Sequence, residues 1–301
     1  MERVGPTINM TITQINKRRK TSRKMRSKNS RIKSISLSLT GIIVAFLFIF
    51  PYVTMLSTAL KPKSDITDMP PTYFPKIYEW GNFIKVFQEI PFGMYMRNTL
   101  VISIATMIIG IIVAVPAAYY VARNNFRFRM PFLLLVLITQ MFSPTSLLIG
   151  IYRELSIFHL VNTYQGLILV NVSFNLAFSV WILSSFFKSI PVEIEEAAFI
   201  DGASRFQTFR KISLPLAAPG IVTTAIFTFI AAWNEYVVAY TLASSPEKQP
   251  FSVGLSLLTG LYEVKWNFLF AGSLIAIIPI IILFISIEKY LVGGLTAGSV
   301  K

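Results

Sequence analysis

The amino-acid sequence predicts an all-α membrane protein built on six transmembrane helices, and three observations predict it. Hydrophobic residues make up 54% of the 301 positions while charged residues make up only 14%, against roughly a quarter in an ordinary soluble domain. The apolar residues come in long blocks rather than short alternating runs, and a helix needs about 20 of them to cross the hydrocarbon core. Basic residues are bunched beside the first block: eleven of the 28 Lys and Arg precede Leu37. The mean hydropathy of +0.62 agrees.

Taken in order, residues 1–36 form a basic tail that contains Lys17-Arg18-Arg19-Lys20. Such clusters bind nucleic acid or anionic lipid. This one abuts an apolar run, so the membrane surface is the expected partner and nucleic acid is not. The first span is expected at 37–60. Its apolar stretch exceeds the 7–15 residues of a signal peptide, and it contains Pro51, so a retained helix is expected. The segment that follows is rich in Pro and aromatics, and Tyr73, Phe74, Tyr78, Trp80, Phe83 and Phe87 suit the headgroup level or the outer face of the bundle.

The remaining spans are expected at 99–121, 131–151, 166–187, 218–242 and 268–290. The third and fifth carry polar residues, and Ser143-Pro144 interrupts the third, where freed backbone groups need protein or water partners. With the N-terminus inside, twenty basic residues fall on the cytoplasmic side and eight on the outer side. Without the tail the contrast shrinks to nine against eight, so the tail carries the expected orientation, with both termini cytoplasmic. The expected organisation is a tail at 1–36, a six-helix domain at 37–290 and a cytoplasmic tail at 291–301.

Chemistry is scarce. The chain has no Cys and one histidine, His159. Disulfides and thiolate metal sites are excluded, and no metal constellation stands in the sequence. No Gly is followed by Lys, so the phosphate-binding loop of nucleotide hydrolases is absent. No acid–base pair or nucleophile constellation appears either, so the chain is not expected to be an enzyme.

The loop between spans four and five, at 188–215, is long and patterned. Pro191 suits a helix start, and Glu193, Glu195 and Glu196 suit its positive end. Gly202 suits a left-handed stop. Ser204 with Gln207 reads as a capping box that opens a second short helix, which Leu214-Pro215 ends. Ile194, Phe199, Ile200, Phe206, Phe209 and Ile212 give this bent element apolar faces that need a partner, either the membrane surface or another protein.

The run Glu196-Ala197-Ala198, three residues, Gly202, nine residues, then Ile212-Ser213-Leu214-Pro215 resembles the "EAA" loop of ATP-binding-cassette importer permeases. Ser57-Thr58-Ala59-Leu60-Lys61-Pro62, Trp80-Gly81-Asn82-Phe83, Arg97-Asn98-Thr99, Trp233-Asn234-Glu235-Tyr236 and the C-terminal 291–301 are similar to the carbohydrate-uptake group, specifically the second, six-span permease of the maltose-transporter type. The resemblance implies the type I importer permease fold in a bacterial plasma membrane. It implies that 188–215 is a coupling helix, with Glu196, Ala197, Ala198, Gly202, Ile212, Leu214 and Pro215 forming the ATPase-coupling element. Gly298, Ser299 and Val300 are candidate tail contacts to the ATPases. The implied partners are a second permease, two ATPase subunits that use ATP and Mg, and an extracytoplasmic solute-binding protein; no cofactor is expected on this chain. The implied solute is a sugar or oligosaccharide. Importers of polyols and glycerol-phosphate share the motifs.

Within the spans, Glu235 is the acid at membrane depth, where an ionisable group faces the bundle interior or water. Asn234 is beside it, and Asn171 and Asn175 share a helix face. With Trp233 these are the candidate translocation-path residues. Helix packing is the competing role for all of them. Gly110 and Gly272-Ser273 suit close helix contacts. A secondary transporter using Glu235 is an alternative, but no internal repeat supports it. A receptor or scaffold reading of the long loop also stays open.

Overall fold

The computed structural model describes residues 36–70, 72–260 and 262–296, without the side chains of 137 and 288–296. The basic tail before Ser36 and the candidate residues Gly298, Ser299 and Val300 lie outside them. The chain divides into two units, 1–57 and 58–301. In the first unit the described residues belong to helix α1 (Ser36–Ala59), whose most apolar stretch has no buried residue. A helix apolar all round with its side chains open needs lipid or another protein around it.

The second unit is helical. In chain order it holds α2 (Lys63–Thr67), α3 (Asn82–Glu89), α4 (Phe92–Arg123), α5 (Arg129–Thr139), α6 (Pro144–Ile157), α7 (Tyr164–Ser189), α8 (Val192–Ile200) and α9 (Arg205–Thr208). A π-helical turn (Phe209–Ser213) leads to α10 (Leu214–Leu216), α11 (Ala218–Trp233), α12 (Val237–Leu242), α13 (Phe251–Ser256) and α14 (Trp266–Thr296). Among the described residues the β structure is a lone antiparallel bridge, Thr259 to Val264.

Among the described residues, four helices are individually long and apolar enough to cross a membrane: α1, α4, α7 and α14 over Trp266–Ile287. Two expected spans are broken instead. The third becomes α5 and α6, because Pro144 lacks an N–H and pushes Ser143 out of the helical region, to φ −66, ψ 132. The side-chain amide of Gln140, in the break, donates to the Phe174 carbonyl on α7 at 3.0 Å and ties the break to that helix. The fifth is α11 followed by α12, separated at 234–236. The helical stretch Arg205–Leu216 bends by 71° into α11.

Helix α4 packs along α7 and α11, and α14 packs against α11 and α3. Three buried clusters line this seam. One centres on Phe92, Tyr95, Phe229 and Trp233, a second on Leu167, Val238 and Leu242, and a third on Ala118, Leu183 and Phe187. Small residues set the close approaches. A Cβ on Gly220 would stand 2.3 Å from the Phe186 ring, and one on Gly272 would stand 2.7 Å from Leu255. Gly110 differs: its nearest neighbour, Thr228, is at an ordinary 3.6 Å, so closeness does not require glycine there.

Side chains from the motif stretches tie the polar segments together. Buried Asn82 donates to the carbonyls of Ala59 at 2.9 Å and Lys61 at 3.0 Å. Buried Asn98 donates to Glu247 and Gln249 carbonyls and accepts from Tyr164 at 2.8 Å. Thr99 accepts the Phe251 N–H at 2.8 Å. In the segment between α1 and α4, Tyr73, Phe74, Tyr78, Trp80 and Phe87 are exposed, and Phe83 is half-buried.

Candidate functional site

The loop 188–215 is built by local rules. Pro191 adopts an extended ψ of 135° and hands over to α8, with Glu193 and Glu195 in the first turn. At the other end the N–H of Ala203 bonds the Ala198 carbonyl at 2.9 Å and that of Gly202 bonds Phe199 at 3.1 Å. This pair is a Schellman stop, and it needs a left-handed residue. Gly202 supplies it with φ +83. The Ser204–Gln207 capping box forms reciprocally, at 2.8 and 3.3 Å, and opens α9. The expected stop at Leu214-Pro215 comes slightly later. Pro215 cannot donate, the chain widens into the π turn before it, and the bend falls at Ala217.

The element has two faces. Glu195 and Ala198, three apart, are buried, while Glu196, Ala197 and Ile200 face outward. Ile194, Phe199, Ile200 and Phe206 are 41, 42, 87 and 68% exposed, an apolar surface that the other described residues leave open. Ile212 and Leu214 are half-buried, and Pro215 is exposed. Phe209 and Leu214 pack toward the third core cluster.

The inner face holds a constellation that sequence reasoning missed. The Glu195 carboxylate pairs with Arg123 at 2.8 Å, and both side chains are nearly buried. Oε1 also accepts from Ser213 Oγ at 2.7 Å and Arg123 Nε at 2.9 Å, and Oε2 accepts from Tyr119 Oη at 3.1 Å. Arg123 further donates to the Ile190 carbonyl at 3.2 Å. The Tyr119 ring contacts Phe187 and Phe209, with centroids 5.4 and 4.8 Å apart. The cluster therefore joins the end of α4, the start of α8 and the end of the π turn. Nothing local distinguishes Glu195 from Glu193 and Glu196; only the partner 72 residues away does.

The candidate path residues separate. Trp233 is fully buried, stacked on Phe229 at 5.3 Å and beside Phe251 at 5.4 Å. It belongs to the core and offers no surface to a solute here, because a ring this large fills the gap between α4, α11 and α13. Asn234 is exposed and donates to the Ile230 carbonyl at 3.0 Å. Both Glu235 oxygens accept backbone N–H groups, from Val238 at 2.7 Å and Ala239 at 2.9 Å, so the carboxylate caps α12. Asn171 and Asn175 bond carbonyls one turn back on α7 at 2.9 and 2.8 Å. Ser179 continues that row and meets Thr228 of α11 at 3.2 Å. The i, i+4 spacing of Asn171, Asn175 and Ser179 is the signal that could have found Ser179.

A cavity of about 560 Å³ lies away from these residues, lined by Lys63, Glu79, Asn82, Lys85, Trp266 and Asn267 among others. Ion pairs rim it: Lys63–Glu263 at 2.7 Å, Lys85–Glu79 at 3.1 Å and Lys265–Glu89.

Comparison with known proteins agrees with this picture. Residues 107–295 match the family described as binding-protein-dependent transport system inner membrane component. The chain is 33% identical to the trehalose/maltose transport system permease protein MalG of Thermococcus litoralis, over 90% of this chain and 98% of that protein. It is 32% identical to the sulfoquinovosyl glycerol transport system permease protein SmoH of Agrobacterium fabrum, over 84% of this chain and 89% of that one. A solved bacterial ABC transporter that imports the acidic polysaccharide alginate shares the fold, with a TM-score of 0.71, 24% identity, and coverage of 86% and 96% of the two chains. With its apolar helices, its bent loop and these relatives, the chain belongs to the inner membrane components of binding-protein-dependent transport systems.

Proposed function

We propose that this chain is one of two permeases in an ATP-driven importer and forms half of the path for a sugar or oligosaccharide. The observation that carries the reading is the loop 188–215: a capped, bent, partly apolar element held to the bundle on one face and open on the other. The open face, with Glu196, Ala197, Phe199, Ile200 and Phe206, suits a cleft on an ATPase, and Gly202 sets the bend. ATP and Mg are used by two separate ATPase subunits, since the sequence lacks a phosphate-binding loop. An extracytoplasmic binding protein delivers the solute, and the family description and the sugar-transporting relatives support this assignment.

In this reading the chain crosses the bacterial plasma membrane six times. The broken pairs α5–α6 and α11–α12 serve as the third and fifth spans, and both termini and the loop face the cytoplasm. Asn175, Asn234 and the capped Glu235 are the candidate path residues that keep exposed or half-exposed surface. Closure of the ATPases moves the loop as a rigid body, and the permeases rock between inward- and outward-facing states.

The test is uptake in proteoliposomes holding the full complex, with a panel of labelled sugars. Expected is uptake that requires ATP and the binding protein. Gly202→Val should insert and assemble normally yet hydrolyse ATP without uptake. Full uptake driven by an ion gradient without the ATPases would overturn the reading.

A further inference from the structure

We propose that Glu195, Arg123, Tyr119 and Ser213 form a clasp that positions the coupling loop, so that movement of the loop is passed to α4 and α11 instead of being absorbed as local bending. This rests on the reading of 188–215 as the coupling element and adds its connection to the bundle.

The argument begins with contacts. A push on the exposed face of α8 reaches the membrane helices directly through α7, through α11, or through side chains that cross to α4. The chain connections on both sides are weak levers. Ile190 and Pro191 are extended backbone between α7 and α8, and the 71° bend separates the loop from α11. Extended residues and bends have dihedrals that can change, which is how hinges absorb displacement. The Glu195 carboxylate spans both weak points. It takes one hydrogen bond and an ion-pair contact from Arg123 and one hydrogen bond from Tyr119 on α4, and one from Ser213 at the far end of the loop. Arg123 closes the circuit by donating to Ile190, at the hinge itself.

The energetics favour a fixed arrangement. The Arg123 and Glu195 side chains are 10 and 4% exposed, where charged hydrogen bonds are strong and an unpaired charge is costly. Such a pair does not slide through intermediate geometries. The loop is therefore docked or released, and a docked loop moves with α4.

The chain contains no Cys, which makes the test direct. Spin labels at Arg127→Cys, in the connection that follows α4, and Arg205→Cys, both exposed, report the distance between that end of the bundle and the loop. The complex is assayed for solute carried per ATP hydrolysed. In Glu195→Gln and Ser213→Ala the label distance distribution should broaden. Transport per ATP should fall by about tenfold in Glu195→Gln, and less in Ser213→Ala, within the range by which single residues change coupling between sites. The double variant Arg123→Met with Glu195→Met leaves no buried charge and should restore insertion and assembly. It should stay uncoupled, because the clasp is still missing; a purely structural role would be relieved by the same change. Parent-like transport per ATP in the double variant, with Gly202→Val uncoupled, overturns the clasp alone. Parent-like ratios in both overturn the clasp together with the reading beneath it. Should the double variant fail to insert, the Ser213→Ala distances and ratio decide, and an unchanged pair of readings overturns the proposal.

Discussion

Gly202 carries its role through backbone conformation and not through crowding. Its φ of +83 belongs to the left-handed region, yet a Cβ there would meet nothing within 4 Å. The cost of a side chain is therefore strain, about 1–2 kcal/mol for an ordinary residue and more for a β-branched one. Asn tolerates that region, so Gly202→Asn should keep most of the coupling that Gly202→Val loses, measured as transport per ATP. Gly220 is the opposite case, with an ordinary φ and the Phe186 ring 2.3 Å from a hypothetical Cβ. Gly220→Ala should cost about 1–3 kcal/mol by overpacking, read as a lower unfolding temperature in detergent. Trp233 combines full burial with an indole N–H that finds no partner among the described residues. Trp233→Phe should therefore carry solute at the parent rate, while Trp233→Ala should lose about 3–5 kcal/mol of stability. A large transport defect in a stable Trp233→Phe protein would return this residue to the solute path.

At the scale of elements, the break between α11 and α12 shows what Glu235 does in the fold. Asn234 satisfies the Ile230 carbonyl at the end of α11, and Glu235 satisfies two N–H groups at the start of α12. Two of the N–H groups that the start of α12 leaves without helical partners thus meet a side chain. Glu235→Ala should then fray α12, with faster amide exchange at Val238 and Ala239 and a loss of about 0.5–2 kcal/mol. Glu235→Gln keeps an acceptor and should lose less. Uptake by the parent protein should not be driven by a proton gradient; proton-driven uptake in the parent that Glu235→Gln abolishes would point to Glu235 as a proton site. The loop elements were legible before any tertiary structure. Gly202 and the Ser204–Gln207 pair act within five residues, so their spacing states their geometry. Pro144 also announced a break, but the contact of Gln140 in that break with the Phe174 carbonyl, 34 residues on, was not legible in the spacing.

For the molecule as a whole, orientation rests on the basic tail, since the other basic residues divide almost evenly. Single-cysteine labelling at Arg205→Cys should proceed only from the cytoplasmic side in sealed inside-out and right-side-out vesicles. Labelling from the outer side would invert the topology and separate the loop from any ATPase. The long apolar helices were readable because crossing a bilayer demands length and composition, both one-dimensional properties. Which residues face the interior was less readable. In α4 and α14 apolar residues surround the helix, so no stripe marks the packed side. By itself the sequence determined the all-helical membrane class and the capped and bent loop, because these follow from composition and near-neighbour spacing. Only the tertiary structure decided that Glu195 is buried while Glu196 stands open, that Trp233 is core, and that Glu235 caps a helix. Those outcomes depend on partners such as Arg123, Phe251 and the bend at Ala217, which chain separation hides and three-dimensional packing alone brings together.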